Sequence, residues 1–495
     1  AERVLEDIRN ARRRNAAFLP VTVVQELTYE DFSRMQVHAA DMPGVDVHMA
    51  STRSYPRGRD FAHVLGYVAR ASSEDLDRLT GHLATEDRRT YQDMFRHPDM
   101  RTGRQGMERY AEDWLRGRPG RRRVVANAHG RPLWEPEQDP KHAPVAGQDL
   151  YVTIDSELQR IAIDRFEGES GAAVVIEIET GDVLAMVSTP AFDPNSFVNG
   201  ISSADYALLR DDPQAPLYPR AHGGVYPPGS TYKMVVATAA LEAGVIRPND
   251  RVHCPGHYRF GNRTWHCWKR QGHGSMNLHD GIKQSCDVYF YEVARRTGVN
   301  KIAEVSRKFG FGTPWVLGMT GARGGLVPDP EWKQRARGEP WFEGETLNFG
   351  IGQGQLGTTP LQLALMTARI AADGAPIRPR MIGLGPPNEE DGILDAPLDP
   401  AIIELQKRGM YGVTSEGGGT ALRSGDLGLG GPRLAGKTGT AQVRRITAAE
   451  RASGNIRGGD AIARELRDHA LFVAYAPHDA PKYAISVIVE HGEGG

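Results

Sequence analysis

Cysteine is scarce: three residues in a chain of 495 exclude a disulfide-stapled scaffold. All three lie between Cys254 and Cys286, so the scarcity is also a clustering. An excess of one charge is missing too, because 60 Lys and Arg face 62 Asp and Glu, for a net charge of −2. No global field steers such a chain toward nucleic acid, and none is expected as a partner. No run of about 18 apolar residues occurs, and Ala1 does not open a charged, apolar and small-residue leader, so this segment reads as neither a membrane span nor a signal peptide. Internal repeats are absent. What is present suits packed domains: 40% hydrophobic and 25% charged residues lie near globular averages and far from those of disordered chains. At about 100 to 200 residues per domain, the length calls for more than one.

Residues 1–14 carry many charges with Val4, Leu5 and Ile8 at helical spacing, which predicts an exposed helix. From Phe18 to Val68, β-rich runs such as 21–24 alternate with polar helical stretches, with turn signals at 42–44 and 55–58. The stretch from Met94 to Val125 is basic and ends on Arg121, Arg122 and Arg123, read as a solvated face or a surface for an acidic glycan or partner. Trp134 to Gln148 is rich in proline and charge without periodicity and reads as a linker. The expected organisation is α+β in two parts, an irregular N-terminal domain with linker over 1–145 and a second domain over 146–495. In the second part a strand is expected over 150–154 and a helix over 157–166. Strands over 172–178 and 182–188 flank Thr180-Gly181 as a hairpin, helices follow over 231–243, 281–296 and 359–372, and strands return over 471–476 and 483–489. Strands at both ends with helices between imply one sheet closed by distant segments.

Three short patterns carry chemistry. In the first, Pro227 and Pro228 lead into Gly229, Ser230, Thr231, Tyr232 and Lys233, ahead of an apolar helical run. Positions i and i+3 share a helix face, so the Lys233 amine is expected to reach the Ser230 hydroxyl. A lysine desolvated beside a buried helix can act as base for a serine nucleophile. Alone, the pattern is equally an ordinary capping serine with a surface lysine. In the second, Ser285 and Asp287 flank Cys286; the hydroxyl could relay a proton and the carboxylate orient a lysine, although alone this is a cap or turn. In the third, Lys437, Thr438, Gly439 and Thr440 suit an edge strand along which an extended peptide can lie, although alone they read as a flexible loop.

Together, in the order S-x-x-K, S-x-D, K-T-G, they are specific: this ordered set, with S-D-N in the middle, marks penicillin-binding proteins and class A β-lactamases. The chain resembles class B penicillin-binding proteins of the elongation type. Tyr55-Pro56, His63 to Tyr67, Gly103 to Glu108, Leu115 to Gly117, Gly352 to Gly354 and Thr359 to Gln362 extend the likeness over nearly the whole chain. The resemblance implies an N-terminal pedestal domain of dimerisation type, then a serine β-lactamase-like transpeptidase domain with an antiparallel sheet flanked by helices. It implies a peptidoglycan D,D-transpeptidase and β-lactam target in which Ser230 is acylated, Lys233 is its base, Ser285 relays the proton and Asp287 stands where many relatives have Asn. Lys437, Thr438 and Thr440 would bind the substrate carboxylate in the K-T-G-T run with Gly439, and the backbone N–H groups of Ser230 and Thr440 would form the oxyanion hole. Implied partners are stem peptides, a membrane glycosyltransferase of the shape, elongation, division and sporulation family, and a periplasmic scaffold. The catalytic part is expected in the periplasm, tethered to the inner membrane by a single-pass anchor outside a segment that reads as trimmed at both ends. A septal transpeptidase, a D,D-carboxypeptidase or β-lactamase, and a β-lactam sensor or scaffold are the alternatives. Asp287 and the long stretch from Cys254 to Cys286 favour elongation, and the length before the linker argues against a β-lactamase.

Cys254, Cys267, His273 and Cys286 fall in the spacing C-x12-C-x5-H-x12-C. Three thiolates and an imidazole suit a tetrahedral structural zinc; a disulfide between Cys254 and Cys267 and inert thiols are the other readings. His253, His257, His266 and His279 compete for the nitrogen position, and His273 is preferred because Gly272 and Gly274 permit a turn that aims its ring. The acyl-transfer chemistry itself needs no cofactor.

Overall fold

The structure is a computed structural model. It describes residues 151–384 and 397–494 apart from 429, 432, 445–449 and 451–460; earlier it describes 27–42, 52–81, 100–120 and 143–150, with shorter pieces at 9, 22–24, 45, 47, 49, 88, 91–92, 94–95, 125–126 and 132–134. The expected helix over 1–14, the turn at 43–44, the arginines at 121–123 and most of the linker lie outside the described residues. The chain divides into two compact units: the described residues up to Leu150 with Phe192–Asp211, and Tyr151–Ala191 with Asp212–Gly383 and the described residues from 397 on. A single cut at 145/146 does not anticipate the Phe192–Asp211 excursion.

In the first unit, Val68–Arg70 pairs antiparallel with Arg101–Gly103. The Tyr55 hydroxyl accepts the Val68 N–H at 3.0 Å and donates to Glu108 at 3.1 Å, and Arg53 pairs with the same carboxylate at 2.8 Å. Burial raises the Glu108 carboxyl even though Arg53 opposes it. Gly66 sits at φ +75° with its α-carbon so near the Gln105 carbonyl that an added Cβ would stand 2.0 Å from the oxygen, so only glycine fits. These are the residues of the N-terminal patterns, held together by one buried carboxylate. Residues 22–24 are exposed and lie in no strand.

The second unit is built on a five-stranded antiparallel sheet of β1 (Gly171–Glu177), β2 (Val183–Thr189), β3 (Ala435–Ala441), β4 (His469–Ala476) and β5 (Tyr483–Val489), in the order β3-β4-β5-β1-β2. Residues far apart in sequence therefore meet, and β3 is an edge. Five helices concern the site: α1 (Lys233–Glu242), α2 (Leu278–Lys283), α3 (Asp287–Thr297), α4 (Pro360–Ala371) and α5 (Pro400–Ser415). α1 has no polar face and is buried from Lys233 through Ala240. α4 starts where Thr359 and Gln362 cap each other and Pro360 fixes the first turn; all of it is buried, packed along β5 and β1. α5 packs on β3 and α2.

Two helices differ from expectation. The helix expected over 231–243 begins as a 3-10 turn, Gly229–Tyr232, before α1. The helix expected over 281–296 is broken: α2 ends at Lys283 and α3 begins at Asp287, because Ser285 lies at φ +52° and turns the chain between them. Two small hairpin-like pairs cover this break, Val252–Cys254 with Gly274–Met276 and His257–Phe260 with Arg263–His266. No described helix is long and apolar enough to cross a membrane.

Candidate active site

Ser230 sits in the 3-10 turn, fixed from both sides. The Tyr232 ring is buried against Phe349, 5.4 Å between centroids, with its hydroxyl on Ser306. The Gly229 N–H donates to the Gly352 carbonyl at 2.9 Å, and Gly229, at φ +55°, lies so close to β3 that a Cβ there would stand 2.4 Å from the Thr440 carbonyl oxygen. The nucleophile turn and the edge strand thus meet backbone to backbone.

Lys233 opens α1 and is fully buried. Its ammonium donates to Asp287 Oδ1 at 2.7 Å, the Ser285 carbonyl at 2.9 Å and Ser285 Oγ at 3.3 Å. It does not hydrogen-bond Ser230, whose side chain has no hydrogen-bond partner among the described residues. The i,i+3 spacing is not used for a hydrogen bond here, because three acceptors of the second pattern draw the amine. Catalytic hydrogen bonds are often long or misaligned until substrate arrives.

Ser285 is the meeting point. Its Oγ receives Lys437 Nζ at 2.8 Å as well as Lys233. Lys437 is completely buried and also donates to the Thr438 carbonyl at 2.9 Å. Burial, then the positive charge of Lys233, holds its amine well below the ordinary lysine range, against the pull of Asp287. The amine addresses Ser285, and Thr440 is the exposed member of the strand. The Thr438 hydroxyl bonds Thr420 Oγ1 at 2.9 Å. Asp287, in the first turn of α3, accepts the Trp268 N–H on its second oxygen at 2.9 Å.

Two residues escape sequence reading. Trp268, 57% exposed, shares its indole N–H between the carbonyls of Gln284 and Ser285 at 3.2 Å each. Gln353 donates its side-chain amide to the Thr440 carbonyl at 3.0 Å. Position beside Cys267 and inside the G-Q-G run, respectively, was the available signal.

The three cysteines are buried free thiols. Their sulphurs and one ring nitrogen of His273 lie within 4.8 Å of one another. His273 Nδ1 is 3.6 Å from Cys254 Sγ and 3.5 Å from Cys267 Sγ. The Cys286 thiol and, against burial, the His273 ring hold the Cys267 thiol down at about 3, and the same Cys267 contact together with burial pushes Cys286 up. Of the competing histidines, His279 is taken by Glu416 at 2.8 Å, and His253 and His257 are exposed. Cys286 caps α3 beside Ser285, so the cluster borders the second pattern.

Residues 171–495 match the model of the penicillin binding protein transpeptidase domain, and residues 1–152 that of the penicillin-binding protein dimerisation domain. The peptidoglycan D,D-transpeptidase MrdA of Haemophilus influenzae is 37% identical over 99% of this chain and 74% of its own length. A crystal structure of Pseudomonas aeruginosa PBP2 in complex with WCK 5153 is 38% identical, covers 90% of this chain and 87% of its own, and superposes with a TM-score of 0.73. PBP2 of Helicobacter pylori, solved in complex with MreC, is 30% identical over 99% of this chain and 85% of its own, with a TM-score of 0.82. The chain belongs to the penicillin-binding transpeptidase family.

Proposed function

We propose that this member of the penicillin-binding transpeptidases is an elongation-type peptidoglycan D,D-transpeptidase that cross-links stem peptides through an acyl-enzyme on Ser230. The observation that carries the reading is the convergence of three distant patterns: Lys233 and Lys437 both donate to Ser285 Oγ, and Gly229 sets Ser230 against Thr440. Ser230 Oγ attacks the carbonyl of the penultimate D-Ala and its proton passes into the coupled chain of Lys233, Ser285 and Lys437. The bond to the last D-Ala breaks, and its amine leaves with a proton from that chain. An amine from a second stem then displaces Ser230 to form the cross-link. Asp287 anchors Lys233, while the hydroxyls of Thr438 and Thr440 are assigned to the terminal carboxylate. The N–H groups of Ser230 and Thr440 are assigned to the oxyanion, where losing one donor costs about 3 to 4 kcal/mol.

β-Lactams acylate the same hydroxyl on this reading. A labelled penicillin should tag the Ser230 peptide and leave Ser230→Ala unlabelled; a tag elsewhere, or none on folded protein, overturns it. Slow deacylation supports the transferase, and rapid turnover indicates a hydrolase. Depletion should round cells rather than make filaments, as the MrdA names of the relatives support.

The Cys254, Cys267, His273 and Cys286 donors are assigned to a structural zinc. The support is the chemistry of the set: three thiols and an imidazole whose ligand atoms lie within 4.8 Å of one another, compatible with the roughly 3.8 Å between sulphurs that tetrahedral Zn–S bonds of about 2.3 Å require. A dication would also relieve a cluster in which one thiol is held down and its neighbour forced up. Elemental analysis of protein prepared without chelators should find zinc, and chelation should lower thermal stability and acylation together; metal-free, fully active protein removes the assignment. We also assign the catalytic part to the periplasm with a bilayer anchor outside this segment. A membrane glycosyltransferase and a periplasmic scaffold are the expected partners, the latter supported by the H. pylori relative solved with MreC.

A further inference from the structure

Away from the nucleophile, a cavity of about 450 Å³ opens between the Val252–Cys254 strand, the His257–Phe260 strand and α3. Its volume falls in the range of ligand sites. Three guanidinium groups, Arg251, Arg259 and Arg296, and two imidazoles, His253 and His257, line it against one carboxylate, Glu292. That carboxylate is already committed: it accepts the Tyr258 hydroxyl at 2.6 Å, Arg296 at 2.6 Å and Arg295 at 3.2 Å. Burial works against its ionisation, yet these bonds outweigh it and hold the Glu292 carboxyl down at about 2.

Two of the guanidinium groups are not balanced by protein acids. Among the described residues Arg251 reaches only the carbonyl and hydroxyl of Ser275, at 3.3 and 3.4 Å, and Arg259 makes no ion pair. His257 and Arg259 project from one face of their strand, and Val288, Glu292 and Arg296 recur at i, i+4 and i+8 on α3, so the wall is built from rigid elements. A chain with a net charge of −2 has no general basic surface, so this is a local excess.

We propose that this cavity is a docking site for an acidic peptide segment carrying at least two carboxylates. The guanidinium fork matches a carboxylate with two parallel hydrogen bonds, and two arginines without an acidic partner, Arg251 just ahead of one strand and Arg259 on another, set up a two-point grip. The choice of a peptide rests on the proposed function, whose substrates are peptides ending in carboxylates. An uncross-linked strand held here would be retained by the enzyme independently of the acyl group on Ser230.

The test uses the full chain and a fluorescent tri-glutamate peptide, read by anisotropy at low salt, with tri-glutamine and inorganic phosphate as competitors. Tri-glutamate should bind and tri-glutamine should not. The Arg251→Gln/Arg259→Gln double variant should weaken binding at least about tenfold while Ser230 acylation by penicillin stays within about twofold. If the double variant loses acylation through misfolding, Arg259→Gln alone, at an exposed position, should still weaken binding several-fold. Equal binding by the variants, equal binding of tri-glutamine, or displacement by phosphate as effective as by unlabelled tri-glutamate overturns the proposal. Failure of Ser230 to acylate would refute the transpeptidase reading instead, and leaves the binding result to be read separately.

Discussion

Gly229→Ala isolates the contact that brings the nucleophile to the edge strand. An added Cβ would stand 2.4 Å from the Thr440 carbonyl oxygen, 2.9 Å from its carbon and 3.1 Å from its nitrogen, all backbone atoms with no rotamer to escape into. Ordinary contact begins near 3.4 Å, so turn and strand must part by about 1 Å. A displacement of that size in a reacting pair costs about 100-fold in rate. The methyl also strains φ +55°, worth about 1 to 2 kcal/mol of stability. Gly244→Ala supplies the control, since Gly244 sits at φ +65° with nothing within 4 Å of a Cβ. Both variants should lose the stability that a left-handed φ costs, Gly229→Ala more because of its clash, but only Gly229→Ala should lose about 100-fold in the second-order rate of acylation by a fluorescent penicillin. Acylation of Gly229→Ala within about twofold of the parent would refute the claim that this backbone contact positions Ser230.

Trp268→Phe keeps a ring but removes the N–H shared by the Gln284 and Ser285 carbonyls, so acylation should fall about fivefold, as expected for about 1 kcal/mol; an unchanged rate makes the indole a bystander. Lys437 gives a pH test. Its folded-state pKa is depressed, so the native state binds fewer protons than the unfolded one between that value and about 10.4, and stability rises with pH across this window by up to about 1.4 kcal/mol per unit. Urea melts of Lys437→Met should lose this slope; an identical slope would show that Lys437 does not supply it. Glu490 pairs with the buried Arg220 at 2.9 Å and accepts the Tyr226 hydroxyl at 2.7 Å, so Glu490→Ala should cost about 3 to 5 kcal/mol by calorimetry. A loss below about 1 kcal/mol would mean that solvent already satisfies Arg220.

What could be read before the structure was whatever depends on local spacing. The β1–β2 hairpin follows from two apolar runs around Thr180-Gly181, and the three catalytic patterns are recognisable because each is short and their order is specific. Reading failed where a side chain answers to distant segments. Nothing between Gly281 and Arg296 breaks a helix by propensity, yet Ser285 is held at φ +52° beneath two lysine amines and the Trp268 indole. The i,i+3 rule aimed Lys233 at Ser230, but the amine answers to Asp287 and Ser285, more than 50 residues away in the chain. Trp268 carries no pattern of its own, and the G-Q-G run that holds Gln353 gives no sign that its amide donates to the Thr440 carbonyl.

The corrected geometry changes how the acyl-transfer site balances charge. Two buried lysines share the neighbourhood of one carboxylate, and Asp287 contacts Lys233 and not Lys437. A second uncompensated ammonium in a site this dry would be expensive, and burial, then the charge on Lys233, both lower the proton affinity of the Lys437 amine. An amine relieved of its proton beside Ser285 Oγ can take one, whereas an amine committed to a carboxylate and two oxygens of Ser285 has its donors in use. On the proposed mechanism, the proton leaving Ser230 would find an acceptor at the far end of the chain, through Ser285, and the third pattern would contribute to the acid–base step as well as to substrate binding. On this account replacing Asp287 by Asn should shift the pair together: with its anchor neutralised, Lys233 no longer biases Lys437 in the same way, and the acid limb of the acylation profile should move. An unmoved limb in Asp287→Asn, with acylation otherwise intact, would show that the two amines are not coupled.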